Sequence, residues 1–314
     1  MVSLRRTGHL PAPGVQVLVV DNNRPGSEEA ESVSALAGEF GVSRTSGPGP
    51  KAMALNAAAR LATGDYLVFL DDDTTVAAPG WLAHLIGGFH DGVGYVAGDV
   101  RARQTATPAQ RIWEAKGGLS KGDVPDELRP AHHRHTRHAW RLKRVAAGAN
   151  CAIRRLVFAE IGGFCDLLGP GTTIGHGESL EIVDRIMRAG YTARYTPAAL
   201  VWHDHPATMA ALWAKLRLYA RGDTAIAIHL ARTHGDLLAA LWAIPCHQLY
   251  RLRNLALAVL GRYPLPAACA WASLLGSLEG IIVYVAARPR SQKGNQGDLP
   301  VLARRPRGAG AADG

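Results

Sequence analysis

The chain has 314 residues, 47% of them hydrophobic, and a formal charge of +9, which is enough apolar material for one or two domains with a substantial core and excludes a chain disordered throughout. Its four cysteines (Cys151, Cys165, Cys246, Cys269) show no CxxC spacing and lie in apolar context, which argues against a disulfide framework or a thiolate zinc site. The N-terminal "MVSLRRTGHLPAPG" has basic residues but no apolar stretch of signal-peptide type, so a cytoplasmic, reducing environment is expected.

"VQVLVV" (Val15 to Val20) is a continuous apolar, β-branched run, as in a strand buried on both faces, and it ends in the turn "DNNRPG". "AMALNAAARLATGDY" predicts a helix with Gly64 at its C-cap, leading into a second strand, "YLVFL". Strand, helix and strand in succession predict an α/β sheet whose right-handed crossover leaves both strand ends on one edge. Ligands of such sheets sit beyond the carboxyl ends of the strands, where Asp21 and the triplet Asp71, Asp72 and Asp73 emerge.

"WLAHLIGGF" then predicts a helix and "GYVAGDV" a strand. Between Arg101 and Arg144, eleven Lys/Arg and four His meet only four acids. This stretch, which includes "RPAHHRHTRHAWRLKR", has no clean period and reads as an irregular or partly helical basic insertion, either merely solvated or attractive to anions. "GANCAIRRLVFAEIGGF" reads as a short strand running into a helix, "ESLEIVDRIMRAGY" as a helix capped near Gly190, and "AALVWHDH" as a strand closing this part at His205.

From Pro206 the chain becomes Ala/Leu-rich and helical, with interspersed Trp and Arg. The run "LPAACAWASLLGSLEGIIVYVAA" is long enough to cross a bilayer, but Glu279 and its glycines argue equally for an interfacial helix or a packed helical subdomain. The Gly/Pro/Arg-rich end predicts a disordered tail. The expected organisation is an α/β domain over 1–205, a helical subdomain over 206–290 and a tail over 291–314.

Three like charges at the end of a buried strand repel one another unless something neutralises them. Hard divalent cations such as Mg²⁺ or Mn²⁺ take carboxylate oxygens and bridge them to a diphosphate, so the triplet reads as a metal-diphosphate clamp; acids capping a following helix are the plainer alternative.

In order and spacing, "VLVVDNN", "ALNAAARLATGDYLVFLDDDTTVAAPGWL", "GANCAIRRLVFAEIGGF", "GPGTTIGHGES" and "AALVWHDH" resemble the successive motifs of family 2 glycosyltransferases of GT-A fold, over about Val15 to His205. The resemblance implies a Rossmann-like, mostly parallel sheet flanked by helices, followed by the helical C-terminal subdomain. It implies that Asp21, with Asn23 beside it, contacts the nucleoside, that Asp71 and Asp72 contact the donor and Asp73 the metal, that His203 completes the metal shell, and that Asn56 supports the nucleotide loop. The implied cofactor is Mn²⁺ or Mg²⁺ and the implied co-substrate a nucleotide-sugar, with uridine the commonest nucleoside. The implied reaction is an inverting transfer to a hydroxyl of a glycan, lipid-linked or cell-envelope acceptor, at a possible membrane surface and without nucleic acid.

Two departures stand out. Relatives carry Glu-Asp where this chain has Glu178-Ser179, and serine is no base at neutral pH, so the proton acceptor is Glu178, or Glu181 one turn on, or activity is weakened. Relatives also begin with a strand of type "VxVVIPxxN" and a helix; only fourteen residues precede Val15 here, and they read as the remnant of that helix, with the first strand missing. Further candidates are His176 in a Gly-rich loop, His205, and the pair Arg217 and Arg221 as a diphosphate grip; Trp202 and Trp213 read as core. The rivals are a catalytically inactive scaffold of the same fold, a haloacid dehalogenase-type phosphatase using "VFLDDDTT", and a basic nucleic-acid binder.

Overall fold

A computed structural model describes residues 1–10, 12–47, 49–130, 139–235 and 237–287. The histidine-rich part of the basic insertion and the C-terminal tail lie outside the described residues.

After a short helix, α1 (Val2–Arg6), come β1 (Leu18–Asp21), α2 (Glu28–Phe40), β2 (Ser43–Ser46), α3 (Lys51–Leu61), β3 (Tyr66–Leu70) and β4 (Thr74–Val76). Next are α4 (Trp81–Gly87), β5 (Val93–Ala102), α5 (Pro108–Ala115), β6 (Asp126–Leu128), α6 (Ala139–Leu142), β7 (Asn150–Arg154), α7 (Arg155–Glu160), α8 (Glu178–Arg188) and β8 (Thr192–His203). Three long helices follow, α9 (Met209–Thr233), α10 (Leu237–Val259) and α11 (Ala267–Ala286). β1 and β2 form a parallel pair of their own, while the larger sheet has the order β3-β7-β5-β8-β4, with β6 added on β8.

The pairing is mixed where the sequence predicts a mostly parallel sheet: within the larger sheet only β5 and β8 pair in parallel, and β7 enters antiparallel between β3 and β5. An apolar run does not give strand direction, and the run expected to be buried on both faces, Val15 to Val20, is only partly buried because β1 has a single strand neighbour among the described residues, β2. Direction nevertheless serves the site. Because β3, β5 and β8 run the same way, their C-terminal ends share an edge, and β7 and β4 start there: Leu70 pairs with Asn150, and His203 with both Thr74 and Ala102.

The basic insertion is more ordered than its lack of period suggests. Thr107 and Gln110 close a capping box around the start of α5, a signal that outweighs weak periodicity in so short a helix. Most of its described arginines are matched: Arg101 with Asp99 and Asp123, Arg103 with Asp204, Arg129 with Glu127, and Arg144 with Asp126.

The core runs without interruption from the sheet into the C-terminal helices, since Ala225, Ile226 and Leu230 of α9 and Tyr284 of α11 share one buried cluster with β5, β7 and α8. α11 packs backbone to backbone on α9. A Cβ at Gly276 would lie 2.0 Å from the Arg217 carbonyl oxygen, and one at Gly280 2.4 Å from that of Arg221. The glycines of this apolar helix thus serve close packing, and among the described residues it alone is long and apolar enough to cross a membrane, with half of that stretch buried inside the fold.

Candidate active site

The acid triplet forms a tight turn at the shared strand edge. The Asp71 carbonyl accepts from Thr74 N and from Thr74 Oγ1 (2.6 Å), and the Asp73 carbonyl accepts from Asp204 N at the end of β8. This fixes Asp73 beside His203, whose Nε2 lies 3.2 Å from Asp73 Oδ2. Burial, then the neighbouring charges of Asp71 and Asp72, raise the Asp73 pKa. The His203 pKa is lowered by burial and then by Lys215, so at neutral pH its imidazole offers a lone pair rather than a charge. An oxygen and a nitrogen donor, both suited to a hard or borderline cation, therefore adjoin.

Among the described residues no group of three or more His, Cys, Asp or Glu is arranged to hold a metal. Asp73 and His203 are two donors only, a number that would suit an ion completed by phosphate oxygens and water rather than one enclosed by protein.

Asp71 turns the other way, into an ion pair with Lys51 at the first turn of α3. Burial of Lys51 disfavours its charge, yet the carboxylates of Asp71 and Glu178 outweigh this and raise its pKa. Lys51 is thus the electrostatic link between the acid turn and Glu178.

Glu178 opens α8. Gly177 before it has φ 110°, a conformation that side-chain-bearing residues rarely adopt, and this turn sends the Glu178 side chain inward. Its carboxylate rests over two glycine backbones: Cβ atoms at Gly148 and Gly169 would lie 3.3 and 3.0 Å from Oε1 and Oε2. Glu178 is buried, and its Oε2 has no hydrogen-bond partner. An orphaned, buried carboxylate oxygen is costly.

Glu181 is committed elsewhere. Both its oxygens accept from Arg185 (2.6 and 2.7 Å), whose remaining nitrogens donate to the carbonyls of Ile161 and Gly163. This corrects its candidacy as base: one helical turn moves it from the site to the interface with the 161–163 turn. Asn56 is likewise a tie, its amide donating to Phe164 O and Asp166 Oδ1 while Oδ1 accepts from Phe164 N; with all its donors spent inside the fold it has none for a nucleotide.

Asp21 is buried and held by Arg44 (3.0 and 2.6 Å to Oδ2) and by Asn23 N (2.9 Å to Oδ1). Burial alone would raise its pKa, but these bonds lower it. Asn23, just past β1, and Asp72, in the acid turn, are exposed.

α9 covers the site with residues the sequence reading passed over. Lys215 and Tyr219, one turn apart, face the acids: Lys215 feels Asp73 and Asp71, although burial lowers its pKa, and Tyr219, its pKa raised by burial, feels Glu178, Asp71 and Asp73. His176 stacks on Tyr219 with ring centroids 4.4 Å apart. Arg217 and Arg221, candidates for a diphosphate grip with a solvated helix face as the plainer alternative, lie on other faces of the same helix; Arg217 pairs with Glu279 of α11 and Arg221 donates to Ile174 O. The i, i+4 rule that selected those two applies equally to Lys215 and Tyr219, and sequence could not say which pair faces inward. His205 is buried, with Nε2 2.8 Å from Glu114 Oε1. Trp213, expected in the core, is 42% exposed.

The sequence profile described as glycosyl transferase family 2 matches residues 2–162, just over half of the chain. The chain belongs to this family. Membership removes the phosphatase alternative. Among curated glycosyltransferases, the pre-mycofactocin glycosyltransferase of Mycobacterium tuberculosis is 27% identical over 256 residues, 79% of this chain and 51% of that protein. The succinoglycan biosynthesis protein ExoM of Rhizobium meliloti is 30% identical over 199 residues, 62% of this chain and 54% of its own length. The chain thus spans about half the length of these relatives. Among solved structures, the mannosyltransferase PcManGT of Pyrobaculum calidifontis, in complex with GDP-Man and Mn²⁺, superposes with a TM-score of 0.49 at 18% identity, covering 90% of this chain and 82% of that one.

Proposed function

We propose that the protein transfers a sugar from a nucleotide-sugar donor to an acceptor hydroxyl with inversion at the anomeric carbon, and that Asp73 and His203 hold a divalent cation jointly with the donor's diphosphate. The observation that carries this reading is the pairing of Asp73 with His203 within one electrostatic neighbourhood of a buried Glu178 whose Oε2 is free. When bound, Mg²⁺ or Mn²⁺ would neutralise charge on the departing diphosphate. Glu178 accepts the acceptor's hydroxyl proton, and Lys51, whose charge Asp71 and Glu178 both stabilise, ties the two carboxylates together. Lys215, which has no carboxylate within ion-pair distance among the described residues, points its charge at the acid turn and favours a diphosphate there. Asp21, Asn23 and Asp72 are the residues expected to meet the nucleoside, uridine by expectation, and its ribose. Ser179 replaces an acid, but Glu178 next to it keeps a free carboxylate oxygen in the site, which supports an active enzyme over an inert scaffold.

The test is turnover of an α-linked nucleotide-sugar followed by NMR. The expected result is a β-configured product, with rates restored by Mn²⁺ after chelation. Retention of configuration, or turnover indifferent to the chelator, overturns the mechanism.

The acceptor classes remain glycan, lipid-linked and cell-envelope precursors. Leu238, Leu241 and Trp242 of α10 and Trp271, Ile282 and Val285 of α11 are exposed, an apolar display that supports a peripheral membrane position. Cosedimentation with anionic vesicles should retain the protein in the pellet, and Leu241→Glu with Trp242→Glu should release it; a wild-type protein that stays in the supernatant ends this part of the proposal.

A further inference from the structure

The basic insertion holds a second polar centre, beside the donor site and not used by it. A cavity of about 290 Å³ is lined by Ser120, Lys121, Asp126, Lys143 and Arg144. Lys143 is its hub. Its Nζ lies 2.6 Å from Asp223 Oδ1, and Asp223 Oδ2 in turn lies 3.2 Å from Arg251 Nη2. Lys116 and Lys121 both feel the Lys143 charge.

Five cations, Lys116, Lys121, Lys143, Arg144 and Arg251, thus gather about two carboxylates, Asp126 and Asp223, while the buried Asp99, itself paired with Arg101, also acts on Lys121. Burial and mutual repulsion push Lys116 and Lys121 down to about 8, whereas Asp223, which burial alone would raise, is pulled to about 2 by Lys143 and its neighbours. Most described arginines of the insertion have an acid to pair with. Lys116 and Lys121 have none among the described residues: Lys116 lies over the Trp113 ring at 5.4 Å, and Lys121 Nζ approaches only the Leu119 carbonyl, at 3.4 Å. Lys121 lines the cavity and Lys116 lies within reach of the Lys143 charge there, and crowding ammonium groups in this way is unfavourable unless an anion visits.

The centre is also coupled to the catalytic side. His176, two residues before Glu178, feels Glu178 on one side and Asp223 and Lys143 on the other, and Gly222, next to Asp223, approaches the His176 ring so closely that a Cβ there would lie 2.5 Å from His176 Cβ. Through Lys143, which lines the cavity, an anion there is linked to the loop that carries Glu178.

We propose that this cluster binds a phosphate group of the acceptor, anchoring it so that its hydroxyl reaches Glu178. The inference rests on the glycosyl-transfer reading and adds the acceptor's chemical class. An excess of several positive charges matches a dianionic phosphate better than a monoanionic carboxylate, and lysines bind phosphate as point charges. Anchoring a remote group in this way converts binding energy into orientation of the reacting hydroxyl.

The probe is inorganic phosphate, titrated calorimetrically at constant ionic strength with acetate as the monoanion control. The wild type should bind one phosphate saturably and acetate at least tenfold more weakly. Lys116→Met with Lys121→Met, which breaks no ion pair, should weaken phosphate at least tenfold while leaving the melting temperature and nucleoside diphosphate binding with Mn²⁺ unchanged. Phosphate binding should survive both a saturating nucleoside diphosphate with Mn²⁺ and Asp73→Asn, so that failure of the donor site and failure of this site are read separately. Equal affinity for acetate, insensitivity to the double substitution, or displacement of phosphate by the nucleotide overturns the proposal. Glycerol phosphate and vesicles containing phosphatidic acid complete the comparison: binding of the first marks a soluble acceptor, binding of the second alone a lipid-linked one, and binding of neither overturns the assignment.

Discussion

Asp73→Ala is expected to lower donor turnover by about 10³-fold, corresponding to roughly 4 kcal/mol of transition-state stabilisation, and to remove the Mn²⁺ dependence of nucleoside diphosphate binding. The reason is positional. Asp73 is the one member of the triplet that adjoins His203; Asp71 is engaged with Lys51, and Asp72 is exposed. Asp72→Ala removes the same charge from the same turn without removing the donor beside His203, so its loss should stay within about tenfold, the scale of an exposed charge interaction. Initial rates and calorimetric titration of the two variants separate donor geometry from bulk charge. Equal losses in both would show that the turn acts only as a negative patch.

Glu178→Gln should lower kcat by about 10² to 10⁴, the range for removal of a general base, while KM for the donor changes by less than about threefold. Glutamine preserves the fit over Gly148 and Gly169 but cannot take a proton. Glu181→Gln provides the contrast. It breaks a buried, bidentate pair with Arg185, leaving that guanidinium in part uncompensated, and should cost about 3 kcal/mol of stability with turnover per folded molecule retained. Chemical denaturation and initial rates on both variants decide between the two carboxylates. Loss of turnover with Glu181→Gln at full stability, and its retention with Glu178→Gln, would reverse the assignment.

Lys51 illustrates how a shared counter-ion hides in a sequence. It is the first residue of α3 in a stretch that otherwise reads as glycine, proline and alanine, and nothing in its spacing relates it to Asp71 or to Glu178, more than a hundred residues on. Only the meeting of α3, the end of β3 and the start of α8 makes it a shared counter-ion. Lys215 and Tyr219 are legible as neighbours one helical turn apart, yet so are Arg217 and Arg221. Which face of α9 turns inward was settled by Gly276 and Gly280, whose missing side chains let α11 close on the backbone of Arg217 and Arg221.

The sequence by itself determined the strand-turn-acid element at Asp71 to Asp73, the α/β alternation, the glycine before Glu178 and the family, because each rests on local residue order: apolar runs end where polar turns begin, and a left-handed backbone angle selects glycine. Tertiary structure alone decided strand direction in the sheet, the adjacency of Asp73 and His203, the withdrawal of Asn56 and Glu181 into structural ties, and the unpaired lysines beside the site. These depend on which distant polar groups satisfy one another once water is excluded, and that pairing is fixed by packing across the sheet edge and the three C-terminal helices, not by the order of residues along the chain.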